Sequence, residues 1–279
     1  LDISDGKLPH PPQQAFFGFN IINLKSMHFT PRILKSAYTF NEIFQSAKDW
    51  FSSLEESKKT SLKEALDHGA GHLTTSDELK AYIAAYGEIH QAKLLQAFNN
   101  LPQKIWTEGG LSVVDYGCGQ GIAEMVLADF IASKWIDNDF IKDFILIEPS
   151  RKNLERCAQY VEAFYADAGK TSICKSDKEI TTDDIKPKCQ TVLHLFSNVI
   201  DLDDFDGERI TSLLSEDKSH NNIVVCVSPY YQESSRGKRM ATFGKMLQGY
   251  TCHYKFEKHT DEWDKPYSCQ IHIYVSSYY

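Results

Sequence analysis

The chain has 279 residues, 42% of them hydrophobic and 24% charged, with a net charge of −8. That is enough for one sizeable core without metal or disulfide staples, and too little for two large domains. The acidic balance disfavours a surface built for phosphate backbones, where affinity rests on Lys and Arg. The seven cysteines are odd in number and scattered, with no C-x-x-C pair. This argues against a zinc ribbon or redox pair and fits free thiols in a reducing cytosol.

The opening "LDISDGKLPHPPQQ" lacks the basic start and apolar run of a secretory leader. No apolar run approaches the ~18 residues of a membrane span, so a cytoplasmic protein is expected. Residues 1 to about 40 read as irregular, broken by Pro9, Pro11, Pro12 and Pro31, with "AFFGFNIINL" as a short strand or an arm on the core. From Asn41 the spacing of Ile43, Phe44, Ala47, Trp50, Phe51 and Leu54 predicts a helix, which Leu62, Ala65 and Leu66 can continue. "HGAG" (68–71) ends it.

"TSDE" (75–78) is a capping box that opens a second helix. Its stripe of Leu79, Tyr82, Ile83, Tyr86, His90, Lys93, Leu94 and Ala97 is half polar. Such a helix either roofs a polar cavity or sends Tyr and Lys tips to water. After Pro102 strands and helices alternate. "LSVVDYG", "DFILIEPS", the weak "TSIC", "TVLHLFSN" and "NIVVCVSP" read as strands, and two further strands, "TCHYKFEKH" and "SCQIHIYVSSYY", close the chain as a hairpin. The predicted fold is α/β: a three-layer, mostly parallel sheet in residues 101–279, preceded in 1–100 by an arm and a helical cap.

The first strand runs into "VVDYGCGQG" (113–121). A strand, a glycine-rich turn and a helix form a nucleotide cradle at the carboxyl end of a sheet. The dinucleotide fingerprint G-x-G-x-x-G fails, because the glycines are Gly117, Gly119 and Gly121 and position 122 is Ile. Asp115, just before the loop, would repel a pyrophosphate and favour a cationic amino-acid moiety. Glu148, closing the second strand, can accept both hydroxyls of a ribose. Together these point to an adenosine carrying an amino acid.

The chain resembles the class I, Rossmann-like S-adenosylmethionine-dependent methyltransferases. "VVDYGCGQG" is similar to their motif D-x-G-x-G-x-G and "ILIEPS" to their acidic second motif. The resemblance covers about residues 101–279, through five strand–helix alternations and a closing hairpin that puts an antiparallel strand in the sheet. It implies S-adenosylmethionine as cofactor, with Asp115, Gly117, Cys118, Gly119 and Gly121 around the methionine part and Glu148 on the ribose. Lys175, Ser176 and Asp177 follow the third strand, and Asp177 is the residue placed at the adenine.

Transfer from a sulfonium requires chiefly an acceptor lone pair in line with the methyl. Asn198, after the fourth strand, is a candidate to orient the acceptor or touch the cofactor. Tyr230 and Tyr231, after the fifth, are candidates to bind substrate. Tyr86 and His90 are placed to close the pocket, with His90 as a candidate base. His194, in mid-strand, reads rather as a core histidine. The Asn/Asp-Pro-Pro-aromatic box of amino methylases and a Pro-Cys pair are both missing. The acids Asp201, Asp203, Asp204 and Asp206 are either a hard-cation site or a solvated loop, and "RGKR" (236–239) either a binding patch or a helix start. No metal is expected. The acceptor is left as a small molecule, a protein or RNA, with nucleic acid not favoured by charge. The alternatives to a methyltransferase are a catalytically inactive cofactor-binding partner or sensor, and an aminopropyl transferase on the same fold.

Overall fold

The computed structural model describes residues 39–67, 71, 73–107, 109–230, 235–258 and 268–277. The "AFFGFNIINL" segment, His68, Gly69 and Tyr231 lie outside them. Three helices come first: α1 (Phe40–Ser52), α2 (Glu56–Leu66) and α3 (Ser76–Asn99). Capping boxes at Thr39–Glu42 and Thr75–Glu78 open α1 and α3. In each the threonine hydroxyl and the glutamate satisfy orphan N–H groups reciprocally. The single helix expected through Leu66 is two, because the chain turns at Ser53–Glu55 and restarts. Asp67, at φ +40°, caps α2 in the left-handed region, and Gly71 N–H returns to the Leu66 carbonyl.

Then follow β1 (Leu111–Tyr116), α4 (Ile122–Ser133), β2 (Ile141–Ile147), α5 (Arg151–Phe164), β3 (Gly169–Ile173), β4 (Thr191–Ser197), α6 (Gly207–Glu216), β5 (Asn221–Pro229), α7 (Ser235–Met246), β6 (Tyr250–Lys258) and β7 (Cys269–Ser276). They form one seven-stranded sheet of order β3-β2-β1-β4-β5-β7-β6. All pairs are parallel except β5–β7 and β7–β6. This is a Rossmann-like three-layer α/β fold with an antiparallel C-terminal hairpin, as expected. Strand–helix alternation holds after β1, β2, β4 and β5. After β3 it fails: two 3-10 turns, Asp177–Glu179 and Thr182–Asp184, replace a helix. There Ser176 and Thr181 engage Glu179 and Asp184 in local boxes, and such side-chain bonds compete with helical ones.

The central strands are buried on both faces, so they read as continuous apolar runs. One core lies between the sheet and α3–α5, and α1 adds Phe40, Ile43 and Ala47 to it. Leu111, Val113, Leu193, Leu195, Val225 and Ile273 supply the sheet side. The other packs Val114, Tyr116, Phe196 and Val224 against Ile210 and Leu214 of α6 and Phe243 of α7. Helix α3 therefore sits on the sheet itself: Gln120 of the glycine loop donates to the Leu79 carbonyl near its start, and Gln96 near its end donates to Tyr254 on β6. Spanning that distance places the middle of α3 over the carboxyl ends of β1, β4 and β5. Among the described residues no helix is long and apolar enough to cross a membrane.

The two unexplained charge clusters in the sequence meet each other. Arg236 and Arg239 of α7 both reach Asp203, and Arg239 also donates to the Asp201 carbonyl. Asp206 caps α6 by accepting from Arg209 N–H, and Asp201 accepts from Ser228 Oγ. Asp201, Asp203 and Asp206 thus each have partners within the protein.

Candidate functional site

At the end of β1 the chain turns through Gly117, Gly119 and Gly121, all in the left-handed region at φ +69°, +53° and +90°. Their surroundings differ. A Cβ on Gly117 meets the Val199 side chain at 3.0 Å and one on Gly121 meets the Cys157 backbone at 3.1 Å, whereas one on Gly119 meets nothing within 4 Å. The outer two glycines are required by packing. The middle one presents bare backbone to open space.

Glu148 braces this loop. Its Oε2 accepts from Gly119 N–H at 3.1 Å and its Oε1 from Ser150 N–H at 2.9 Å. Cys118 departs from expectation. Its N–H is bonded to the Ile147 carbonyl, its thiol lies with Cys157 in the core, and burial raises that thiol to about 12. It offers a ligand neither group, because the turn that exposes Gly119 points its neighbour inward. Asp177 departs too: its carboxylate accepts from Asp206 N–H, tying the turn after β3 to the start of α6.

Asp115 is 1% exposed and Glu124, on the first turn of α4, is fully buried. No donor among the described residues reaches any oxygen of either carboxyl. Burial, and then the proximity of Glu124, push Asp115 well above the usual carboxylate range, and burial also raises Glu124. One proton shared between the two acids leaves the pair with a single negative charge instead of two, the arrangement that this setting favours. In the unfolded chain both acids titrate normally. Between that range and the folded values the native state therefore holds more protons, and stability falls as pH rises. Glu124→Gln supplies the shared hydrogen permanently. It should raise the melting temperature at pH 8 by a few degrees, roughly the 1–2 kcal/mol of one pKa unit, with no gain at pH 4. Scanning calorimetry at the two pH values checks it.

Facing the loop, α3 and the β4 terminus carry a chain of hydrogen bonds. Lys93 Nζ donates to Asn198 Oδ1 at 2.6 Å, Asn198 Nδ2 contacts His90 Nδ1 at 2.7 Å, and His90 Nε2 contacts Tyr82 Oη at 3.1 Å. Lys93 can only donate, so the polarity is set from its end. Asn198 accepts through Oδ1 and donates to Nδ1. His90 therefore carries its proton on Nε2 and donates it to Tyr82. Burial, then Lys93, hold His90 well below its usual pKa, in keeping with this neutral tautomer. Asn198 sits at φ +58°, with its second amide hydrogen on Ser197 Oγ and its N–H on the Val227 carbonyl.

These contacts revise two expectations. In this arrangement His90 has no free lone pair to serve as a base, and the Asn198 donors are spent on positioning its neighbours. Tyr86, partly exposed, tilts its ring 5.0 Å from that of Tyr82 and forms part of the roof. Tyr230 follows β5 directly and is partly buried. His194 is the core histidine expected, held between Tyr116 and Asn222 and lowered to about 4 by burial. Two residues went unassigned in the sequence, Lys93 and Tyr82. The signal was there: a lysine on a stripe that faces the core is either snorkelling or functional, and Lys93 is 3% exposed.

No family model matches the chain, and no curated protein matches its sequence. Solved structures do resemble it. The plantazolicin methyltransferase BpumL, solved with SAH, is 11% identical over 88% of this chain and 99% of that one, with a TM-score of 0.43. A TehB-like SAM-dependent methyltransferase from Corynebacterium glutamicum is 12% identical over 79% and 97%, with a TM-score of 0.40. A putative RNA methyltransferase from Pyrococcus horikoshii is 12% identical over 84% and 98%, with a TM-score of 0.43.

Proposed function

We propose that the chain is an S-adenosylmethionine-dependent methyltransferase whose α3 roofs the site of transfer. The observation that carries this reading is Gly119: bare, left-handed backbone facing open space at the carboxyl end of β1, braced by the Glu148 carboxylate. In this reading Glu148 accepts the ribose hydroxyls, and the buried acids Asp115 and Glu124 favour a ligand whose amino-acid part and sulfonium are cationic. The helices α1–α3 act as a cap over the domain that holds the cofactor. Tyr86 and Tyr230 stand where a roof and a rim meet an acceptor.

Titration calorimetry with S-adenosylhomocysteine tests the cofactor, and micromolar binding is expected. No heat at millimolar ligand sinks the reading. One observation favours the inactive partner or sensor as a second reading, namely that His90 and Asn198 spend their hydrogen-bonding capacity on each other and on Lys93. The two readings part on whether S-adenosylhomocysteine forms from S-adenosylmethionine in the presence of cell extract.

A further inference from the structure

Lys93 lies in the middle of α3, 3% exposed, with one hydrogen bond, to Asn198, and no ion pair among the described residues. A buried ammonium with a single neutral partner is a costly arrangement. A merely structural site would have an apolar residue or a counter-ion there. Asp201, from the loop after β4, and Cys269, at the start of β7, are within electrostatic reach, and burial still brings Lys93 down to about 8. At neutral pH it is mostly a cation with N–H groups to spare.

The far end of the same chain adds a second donor. Tyr82 accepts from His90, so its own hydroxyl hydrogen is left over, and no acceptor for it occurs among the described residues. The network thus ends in an ammonium at one end and a phenolic O–H at the other. The His90 Nδ1 lone pair is taken by Asn198, and Lys93 in its prevailing ammonium form has none to remove a proton.

We infer that the acceptor is a carboxylate, held by the Lys93 ammonium; this rests on the methyltransferase reading proposed above. The alternatives fit the site less well. An amine acceptor arrives as an ammonium, has a proton to lose, and would stand beside both Lys93 and a sulfonium. A hydroxyl needs a base. A phosphate monoester brings about two charges to a site with one cation. A carboxylate brings one negative charge and an available lone pair.

In the transfer, a carboxylate oxygen forms the new O–CH3 bond as the S–CH3 bond breaks. The bonding pair returns to sulfur, and a neutral thioether and a methyl ester result with no proton moved. Because the carboxylate loses its charge on the way, Lys93 helps to bind and orient the acceptor more than to lower the barrier after binding. It is therefore a specificity-determining residue, and its loss should appear in acceptor KM more than in kcat.

The experiment has three arms. First, S-adenosylhomocysteine affinity is measured for the native protein and for Lys93→Met. Binding by both establishes the cofactor, and binding by neither means that the methyltransferase reading itself has failed. Second, the native protein is incubated with methyl-tritiated S-adenosylmethionine and a small-molecule cell extract, and the product is treated with alkali. Release of the label as volatile methanol is the expected result, because methyl esters hydrolyse and N-methyl groups do not. Alkali-stable label overturns the inference.

Third, the S-adenosylhomocysteine complex is titrated with benzoate and with benzylamine. Preference for benzoate is expected, weakened about ten- to a hundredfold in Lys93→Met, as for loss of a charge-assisted hydrogen bond, and partly restored in Lys93→Arg. Equal affinity for the two probes, or a benzoate affinity indifferent to Lys93→Met, overturns it.

Discussion

Gly119→Arg should abolish binding of S-adenosylmethionine while leaving the protein folded. The left-handed backbone at φ +53° is a strain of about 1–2 kcal/mol for a residue with a Cβ, a few degrees in melting temperature. A Cβ there has nothing within 4 Å, so the new side chain starts in open space. It grows into the space where the cofactor backbone contact is proposed. Affinity should fall by about three orders of magnitude or more, near 4 kcal/mol, which places binding out of calorimetric reach. Gly121→Ala supplies the contrast. Its Cβ meets the Cys157 backbone at 3.1 Å, so it should lower the melting temperature through packing. Unchanged affinity in a folded Gly119→Arg protein would remove the loop from the site.

The second large effect is expected at Glu148. Its oxygens hold the N–H groups of Gly119 and Ser150, so the carboxylate sets both the loop and the start of α5. Glu148→Ala leaves those two donors unpaired and removes the proposed ribose acceptor. Affinity for S-adenosylhomocysteine should fall about a hundredfold, near 3 kcal/mol, which is the range for losing hydrogen bonds to a charged group. Glu148→Gln should be nearly as damaging, because its amide must turn an N–H toward one of those two donors. If Glu148→Ala lowers the melting temperature and leaves affinity intact, the residue is a brace and the ribose lies elsewhere.

Much of this molecule was legible before its structure. Parallel strands buried on both faces leave largely apolar runs such as "TVLHLFS" and "NIVVCVS", and the capping box at Thr75 marks where α3 begins. The glycine spacing and the acid at Glu148 were legible for a similar reason: positive φ and a strand-end carboxylate are local demands, met by residue type at a given position. Local signals misled where a local alternative competes with a longer element. The turn at Ser53–Glu55 splits a helix that apolar spacing alone would continue, and the boxes after β3 stop a helix before it starts.

The residue type of Cys118 or Asp177 does not disclose which way its side chain points, and both turned out to be engaged within the protein. The same holds for the pairing of Arg236 and Arg239 with Asp203, each cluster answering the other's charge. The order of the site follows this division. The sequence by itself determined an α/β chain with a glycine turn, an acid at the tip of the second strand and a half-polar helix ahead of them. Only the tertiary structure decided that α3 crosses the sheet ends. That crossing joins Lys93, Asn198, His90 and Tyr82 into one directed chain across about a hundred residues of sequence. Hydrogen-bond direction is a property of the whole chain of partners. It is set by the one member that can only donate, Lys93, and no window of sequence holds all four residues at once.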